Sequence, residues 1–491
     1  MKILTNGKVP GKVEPIQILI EKNKIKNIQP VNENLNTFKI DLNGKYILPG
    51  FADSHCHILH TGMQLQKPDL AACQNKQELL EKIFIAHQES PKTEWVIVKN
   101  YDPNKLDAKD HLSQDDLDLI DQIRPILVQH SSGHAGVANS GALSKAPTAK
   151  HIEGYLVEKE YQKVYSAEPI PSLEKMVESI LATATHLSKL GITSATEMMA
   201  GYYDLEQELL AYHLASKRGA SIRLRLFLEW NKVFGPDAIS EKRLKELMDQ
   251  MDQDICNVIG IKLFADGALG TKTAAVYEEY IGGGYGHLLY EPGVFKEKIK
   301  TAHQAGWSIA VHSIGDRATD LVLEAYSELD DAASHRIEHA MVLNDSQIKQ
   351  MACLGCCCTM QPEFLSHFAY SYQKNIGKAR TSTLKPFRSV VEAGIGFGLS
   401  SDRPFVHGNP WEAIRIASDR PENFDSSENL SLEQAIAAYT EGSARLNYEG
   451  DLIGKLQPGY FADLQIYAED PLLSTSPTLL TTLFGGEETV K

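Results

Sequence analysis

Short apolar runs alternate with amphipathic stretches eight times along this chain, and few folds accept that pattern. The runs are Ile47–His57, Gly191–Met199, Ile222–Trp230, Val258–Asp266, Trp307–Gly315, Ser334–Met341, Gly355–Glu363 and Gly394–Asp402. Helical stretches fall between them, among them Leu173–Leu190, Ser240–Gln253, Pro292–Ala305 and Ala318–Glu328. Strand followed by helix, repeated in this way, predicts a TIM (β/α)8 barrel, an α/β fold around a parallel sheet.

The ends of the chain have a different texture. Lys2-Ile-Leu-Thr, Ile16-Gln-Ile-Leu-Ile and Lys24-Ile-Lys-Asn-Ile alternate apolar and polar residues between Gly and Asn breaks, which predicts a small antiparallel sheet. Gly454–Tyr467 reads as a turn and then a strand. Neither end can bury a core alone, so residues 1–48 and 448–491 are expected to form one composite β-sandwich, with the barrel domain over 49–447. The first two barrel strands lie about 130 residues apart, against about 4–6 for an ordinary connection. Residues 60–170 are therefore expected to be an insertion, a lid or subdomain.

Bulk properties remove several function classes. Net charge is −15 with no basic block, which argues against nucleic acid and anionic membranes as partners. No stretch approaches the ~18 apolar residues of a membrane span, and the N-terminus lacks a signal-peptide core. Seven cysteines without disulfide-like spacing fit reduced thiols. The expectation is a cytoplasmic protein with reduced thiols, for which a homodimer is possible.

Polar residues at the C-terminal ends of barrel strands read as catalytic. The first run ends in His55-Cys-His57, the fourth in Lys262-Leu-Phe-Ala-Asp266-Gly267. The fifth carries His312-Ser-Ile-Gly-Asp316, the sixth Arg336-Ile-Glu-His339, and the eighth ends in Ser401-Asp402-Arg403-Pro404. Strand residues at i and i+2 point the same way, so His55 and His57 can reach one metal ion. Ser-Asp-Arg-Pro also suits a helix N-cap, which does not exclude ligation. Cys356-Cys357-Cys358 reads as packing, since adjacent strand residues face opposite ways and cannot converge on one ion.

The order HxH, Lys, His, His, Asp resembles the binuclear enzymes of the amidohydrolase superfamily. Val-His-Ser-Ile-Gly-Asp-Arg-Ala, Arg-Ile-Glu-His-Ala, Lys-Leu-Phe-Ala-Asp-Gly-Ala-Leu-Gly, Ser131-Ser-Gly-His134-Ala-Gly-Val-Ala-Asn139 and Gly454-Lys-Leu-Gln-Pro-Gly-Tyr-Phe-Ala-Asp463 are similar to its amidohydrolase 3 group, the YtcJ-like metal-dependent hydrolases. The resemblance implies a metal-bearing barrel that hydrolyses a non-peptide C–N bond of a small molecule. It implies one or two divalent ions, zinc above all. His55, His57 and Asp402 would hold one and His312 and His339 the other, with Lys262 carboxylated by CO2 as the bridge. Asp402 would shuttle the proton of the water that attacks. His134, Asn139, Asp266 and Gly267 would approach the substrate. For Lys262 a plain structural lysine paired with Asp266, beside a single metal, stays open. So does an esterase, lactonase or deaminase on the same ligand set. A non-catalytic barrel should have lost a ligand position, and none is missing.

Overall fold

The computed structural model describes residues 1–32, 38–106, 111–131 and 135–489. The chain divides into two compact units, residues 1–61 with 176–491, and residues 62–175.

The first unit holds the barrel. Its strands are Phe51–Cys56, Ile192–Ala200, Arg223–Glu229, Cys256–Phe264, Ile309–Ser313, Arg336–His339, Cys357–Met360 and Phe397–Leu399. Each pairs in parallel with the next in chain order. All six residues of the first strand are buried, because helices cover one face and the barrel interior the other. Closure brings the two chain-distant ends together: the Asp402 amide donates to the His55 carbonyl at 2.7 Å, and the His57 amide to the Arg403 carbonyl at 2.9 Å. That closure sets the HxH pair beside Asp402.

The run expected as one strand over Ile47–His57 is two. Tyr46–Pro49 pairs with Leu464–Tyr467 in a terminal sheet, and the barrel strand begins at Phe51. Gly50 is the break between them. A Cβ there would lie 2.1 Å from Thr193 Oγ1, so the second strand can approach this junction only if the residue is glycine. Three of the barrel strands stop short of a residue expected at the site. His57, Asp266 and Asp402 lie past the ends of the ladders.

Two four-stranded sheets come from the termini. One orders Lys24–Pro30, Ile16–Glu21, Lys2–Gly7 and Phe38–Asp41; the other Glu487–Glu488, Leu479–Phe484, Leu464–Tyr467 and Tyr46–Pro49. Leu4, Ile18, Ile20 and Ile25 from the first share a core with Ile47, Leu464, Ile466 and Leu483 from the second. The first sheet is not purely antiparallel as expected. Phe38–Asp41 runs parallel to Lys2–Gly7, a pairing that a longer return connection allows and a hairpin does not. Buried ion pairs tie residues 448–463 to the opposite end of the barrel from the histidines. Arg223 Nε meets Asp463 at 2.7 Å, and Glu449 takes Arg225 Nη2 and the Ser194 hydroxyl at 2.5 Å each.

The unit of residues 62–175 is built on a sheet ordered Tyr155–Val157, Ala135–Ala138, Ile126–His130 and Val96–Tyr101. Alternation along Val96-Ile97-Val98 sends Val96 and Val98 to one core, with Leu79 and Ile83 of helix Lys76–Glu89. Ile97 goes to the other, with Tyr161 and Val164 of helix Glu158–Tyr165.

Candidate metal centre

Four imidazoles gather at the C-terminal ends of the strands. Ring centroids of His55 and His339 lie 4.7 Å apart, those of His312 and His339 4.6 Å, and those of His55 and His57 5.8 Å. His55 Nε2 and His57 Nε2 stand 3.5 and 3.2 Å from Asp402 Oδ1. One ligand atom from each of these three residues falls within 4.8 Å of the others.

Obligate acceptors decide which nitrogen of each ring is free. His55 Nδ1 lies 2.5 Å from Glu338 Oε2, so it carries the proton and Nε2 the lone pair. Glu338 is fully buried and gripped by Arg336, whose Nε and Nη2 reach its oxygens at 2.5 and 3.1 Å. His57 Nδ1 faces Glu197 Oε1 at 3.4 Å. Glu197 is itself held by the Leu59 amide at 3.1 Å and the Tyr212 hydroxyl at 2.6 Å. His312 Nε2 donates to the Gly267 carbonyl at 2.9 Å, which leaves Nδ1 as its free nitrogen. His339 Nδ1 donates to Gln361 Oε1 at 2.9 Å, leaving Nε2. Carboxylate and carbonyl partners of this kind orient metal-ligating histidines.

Charge agrees with that reading. Burial holds His55 and His339 well below the ordinary imidazole range and His312 at about 3, with the nearby Lys262 charge adding to the effect in all three. Neutral imidazole is the ligating form. His57 differs. Burial pushes it down, but Asp402 and Glu197 outweigh that and lift it to about 9. It thus sits between two carboxylates that call for a cation. Asp402 Oδ1 is buried and makes no hydrogen bond. A buried carboxylate oxygen that faces two imidazole nitrogens outside hydrogen-bond geometry is stabilised when a cation completes it. The residues present therefore fit a divalent metal, whose usual ligands are N and O donors of these types. His339 and Asp402 both hold the left-handed backbone region, with φ of 73° and 57°. Strain at non-glycine residues collects at functional sites.

Lys262 is almost fully buried on the fourth strand, its ammonium 5.1 Å from the Phe264 ring centroid. Burial pushes it down to about 8, against the pull of Glu338 and Asp402. It is not the partner of Asp266. That carboxylate accepts from the amides of Ala275, Ile314 and Gly315 at 2.9, 3.0 and 2.8 Å. Asp266 is buried and braces the loops after strands four and five, with its Oδ1 3.8 Å from His312 Nε2. Gly267 acts through its carbonyl on His312. Asn139 is also spent on structure: fully buried, it caps a short helix, accepting from the Ile126 and Ala142 amides and donating to the Asp121 and Arg124 carbonyls. His134 lies outside the described residues.

Sequence reading missed Glu338, Gln361 and Lys385. Arg336 and Glu338 stand at i and i+2 and share a face, so a buried ion pair beside the metal histidines was legible there. Lys385 comes from a distant loop and carried no such signal. Fully buried, its Nζ donates to Gln361 Oε1 at 2.9 Å and to the His339 carbonyl at 3.2 Å. Gln361 Nε2 in turn donates to Ser400 Oγ at 2.9 Å, which fixes the orientation of the amide. Gln361→Met is expected to weaken metal binding by about 10–100-fold, the cost of losing such an orienting partner. Gln361→Glu, which still accepts from both donors, should restore most of it. Competitive zinc titration checks both.

A sequence model described as the amidohydrolase family matches residues 39–491. The chain is 28% identical over 465 residues to the putative amidohydrolase YtcJ of Bacillus subtilis (strain 168), across 89% of this chain and 86% of that protein. It is 23% identical to the N-substituted formamide deformylase of Arthrobacter pascens, across 88% and 85%. The crystal structure of an uncharacterized metal-dependent hydrolase from Pyrococcus furiosus superposes with a TM-score of 0.82 at 26% identity, covering 96% of this chain and 99% of that one. The family's pattern thus spans the barrel, the terminal sheet of Tyr46–Pro49 and Leu464–Tyr467, and every histidine of the cluster, and the chain belongs to the amidohydrolase family.

Proposed function

We propose that this hydrolase cleaves a non-peptide C–N bond, amide-like, in a small molecule. The observation that carries the reading is Asp402 Oδ1, buried and without a hydrogen bond, 3.2–3.5 Å from two imidazole nitrogens whose other nitrogens face carboxylates. The formamide deformylase relative supports the choice of bond.

His55, His57 and Asp402 would hold one ion, zinc in this reading, and His312 and His339 a second, with Lys262 as a carbamate between them. A bound divalent ion supplies Lewis acidity, which polarises a carbonyl and makes a water acidic near neutral pH. The remaining steps belong to the chain. Asp402 takes a proton from the attacking water and returns it to the departing amine, acting first as base and then as acid. Glu338, clamped by Arg336, and Glu197, held by Tyr212, keep His55 and His57 in their ligating tautomers throughout.

Chelation followed by dialysis should abolish hydrolysis, and Zn2+, Mn2+ or Co2+ should restore it, read across matched panels of amides, esters and cyclic imines. Full activity in metal-free protein would overturn the metal reading. Turnover confined to esters or lactones, or ammonia release from imines, would move the reaction class while keeping the site.

A further inference from the structure

We propose that the barrel mouth beside His57 is a subsite for an aryl group of the substrate. The proposal rests on the hydrolytic reading above and names the substrate class that it leaves open.

Aromatic rings converge on this one ligand. Phe405 lies 6.0 Å from the His57 ring, edge to face, and His60 lies 6.4 Å from it in the same geometry. His60 continues into a cluster, 4.4 Å from Tyr202 and stacked on Tyr203 at 5.5 Å, with the two tyrosines 4.9 Å apart. Yet Tyr202 is 49% exposed and Phe405 59%. Rings left in water cost free energy, and a cluster of them beside a candidate catalytic centre marks a surface waiting for an apolar partner.

The backbone presents both exposed rings in a fixed way. Glu208, almost fully buried, accepts from the amides on either side of Tyr202, Gly201 at 2.7 Å and Tyr203 at 2.6 Å. Gly201 adopts φ +105°, a region a side chain rarely enters, to start this loop. On the other element, the Phe405 amide donates to the Asp402 carbonyl at 3.1 Å, so the turn carrying Phe405 begins at the candidate metal ligand itself. A ring docked here would lie beside the candidate ligands His57 and Asp402. Aromatic walls also accept cations, but a divalent ion on His57 would repel one. With a cation disfavoured there, a flat aryl group is the occupant that the exposed rings fit.

Binding to the zinc-loaded protein by calorimetry tests this apart from turnover. Phenylacetohydroxamic acid should bind at least about tenfold more tightly than acetohydroxamic acid, the gain that one well-placed ring contact and its buried area supply. In Tyr202→Ala/Phe405→Ala that preference should collapse toward one at unchanged zinc content. The single variants Tyr202→Ser and Phe405→Ser should each lose part of it if the double variant does not fold. The kcat/KM ratio of N-benzylacetamide to N-methylacetamide should move the same way. Amide turnover without an aryl preference overturns the subsite and leaves the hydrolase reading standing. An aryl preference that the variants abolish, in a protein that turns over no amide, does the reverse. Tighter binding of a trimethylammonium-bearing hydroxamate than of the phenyl one overturns the aryl assignment.

Discussion

Asp402→Asn is expected to lower kcat by at least about 10²–10⁴-fold, the usual worth of a positioned acid–base group, while the protein keeps much of its metal. The substitution separates two roles of one side chain. Asparagine retains an oxygen where Oδ1 faces His55 and His57, so a ligand atom survives. It cannot take a proton from water or return one to an amine. The backbone tolerates the change as well, because residue 402 holds φ 57° and asparagine is among the few residues that enter the left-handed region readily. Metal content by mass spectrometry and kcat on the best amide of the panel provide the two readouts. Loss of both would make Asp402 chiefly a ligand. A near-normal kcat would hand the proton to another group, with the neighbouring His339 the first to test.

The difference between what the sequence disclosed and what it hid follows from distance along the chain. The eight strands were legible because burial on both faces leaves near-continuous apolar runs. The cluster His55, His57, Lys262, His312, His339 and Asp402 was legible because each residue lies at or near the C-terminal end of such a run, and a barrel gathers those ends. Boundaries were less legible. Nothing in the apolar pattern of Ile47–His57 shows that one run serves two sheets; only the close approach of Thr193 to Gly50 does. The partners of polar residues near the motifs were hidden for the same reason. Asn139 and Asp266 look like ligand contacts in one dimension, but their hydrogen bonds close onto backbone amides that the fold brings in from elsewhere. Lys385 shows the converse. Its partners, Gln361 and the His339 carbonyl, lie at the ends of two barrel strands, so its importance exists only in three dimensions.

Lys262→Ala is expected to cost the protein metal and to lower kcat by on the order of 100-fold or more, the top of the range for weakened metal sites. The argument begins with charge. In the proposed two-ion centre an ammonium would repel the cations, so Lys262 would have to lose its charge to serve as a ligand there. Burial has already pushed it down to about 8, with Arg336 acting in the same sense and Glu338 and Asp402 in the opposite one. A neutral amine is the form that attacks CO2: the nitrogen bonds to carbon, one N–H proton passes to solvent, and a carbamate anion remains. That anion offers two oxygens where the free lysine offered a positive charge, and two oxygens can serve two ions. Alanine removes the anion and leaves a space that a small carboxylate can enter. Acetate or propionate should therefore return part of the metal and part of the rate to Lys262→Ala, and neither should help the wild-type protein. Mass spectrometry under native conditions should find the wild type heavier by one carboxyl group, lost on acidification. A variant that keeps its full metal content and rate would make Lys262 a structural residue, and a wild type without the added mass would reduce the centre to the single ion of His55, His57 and Asp402.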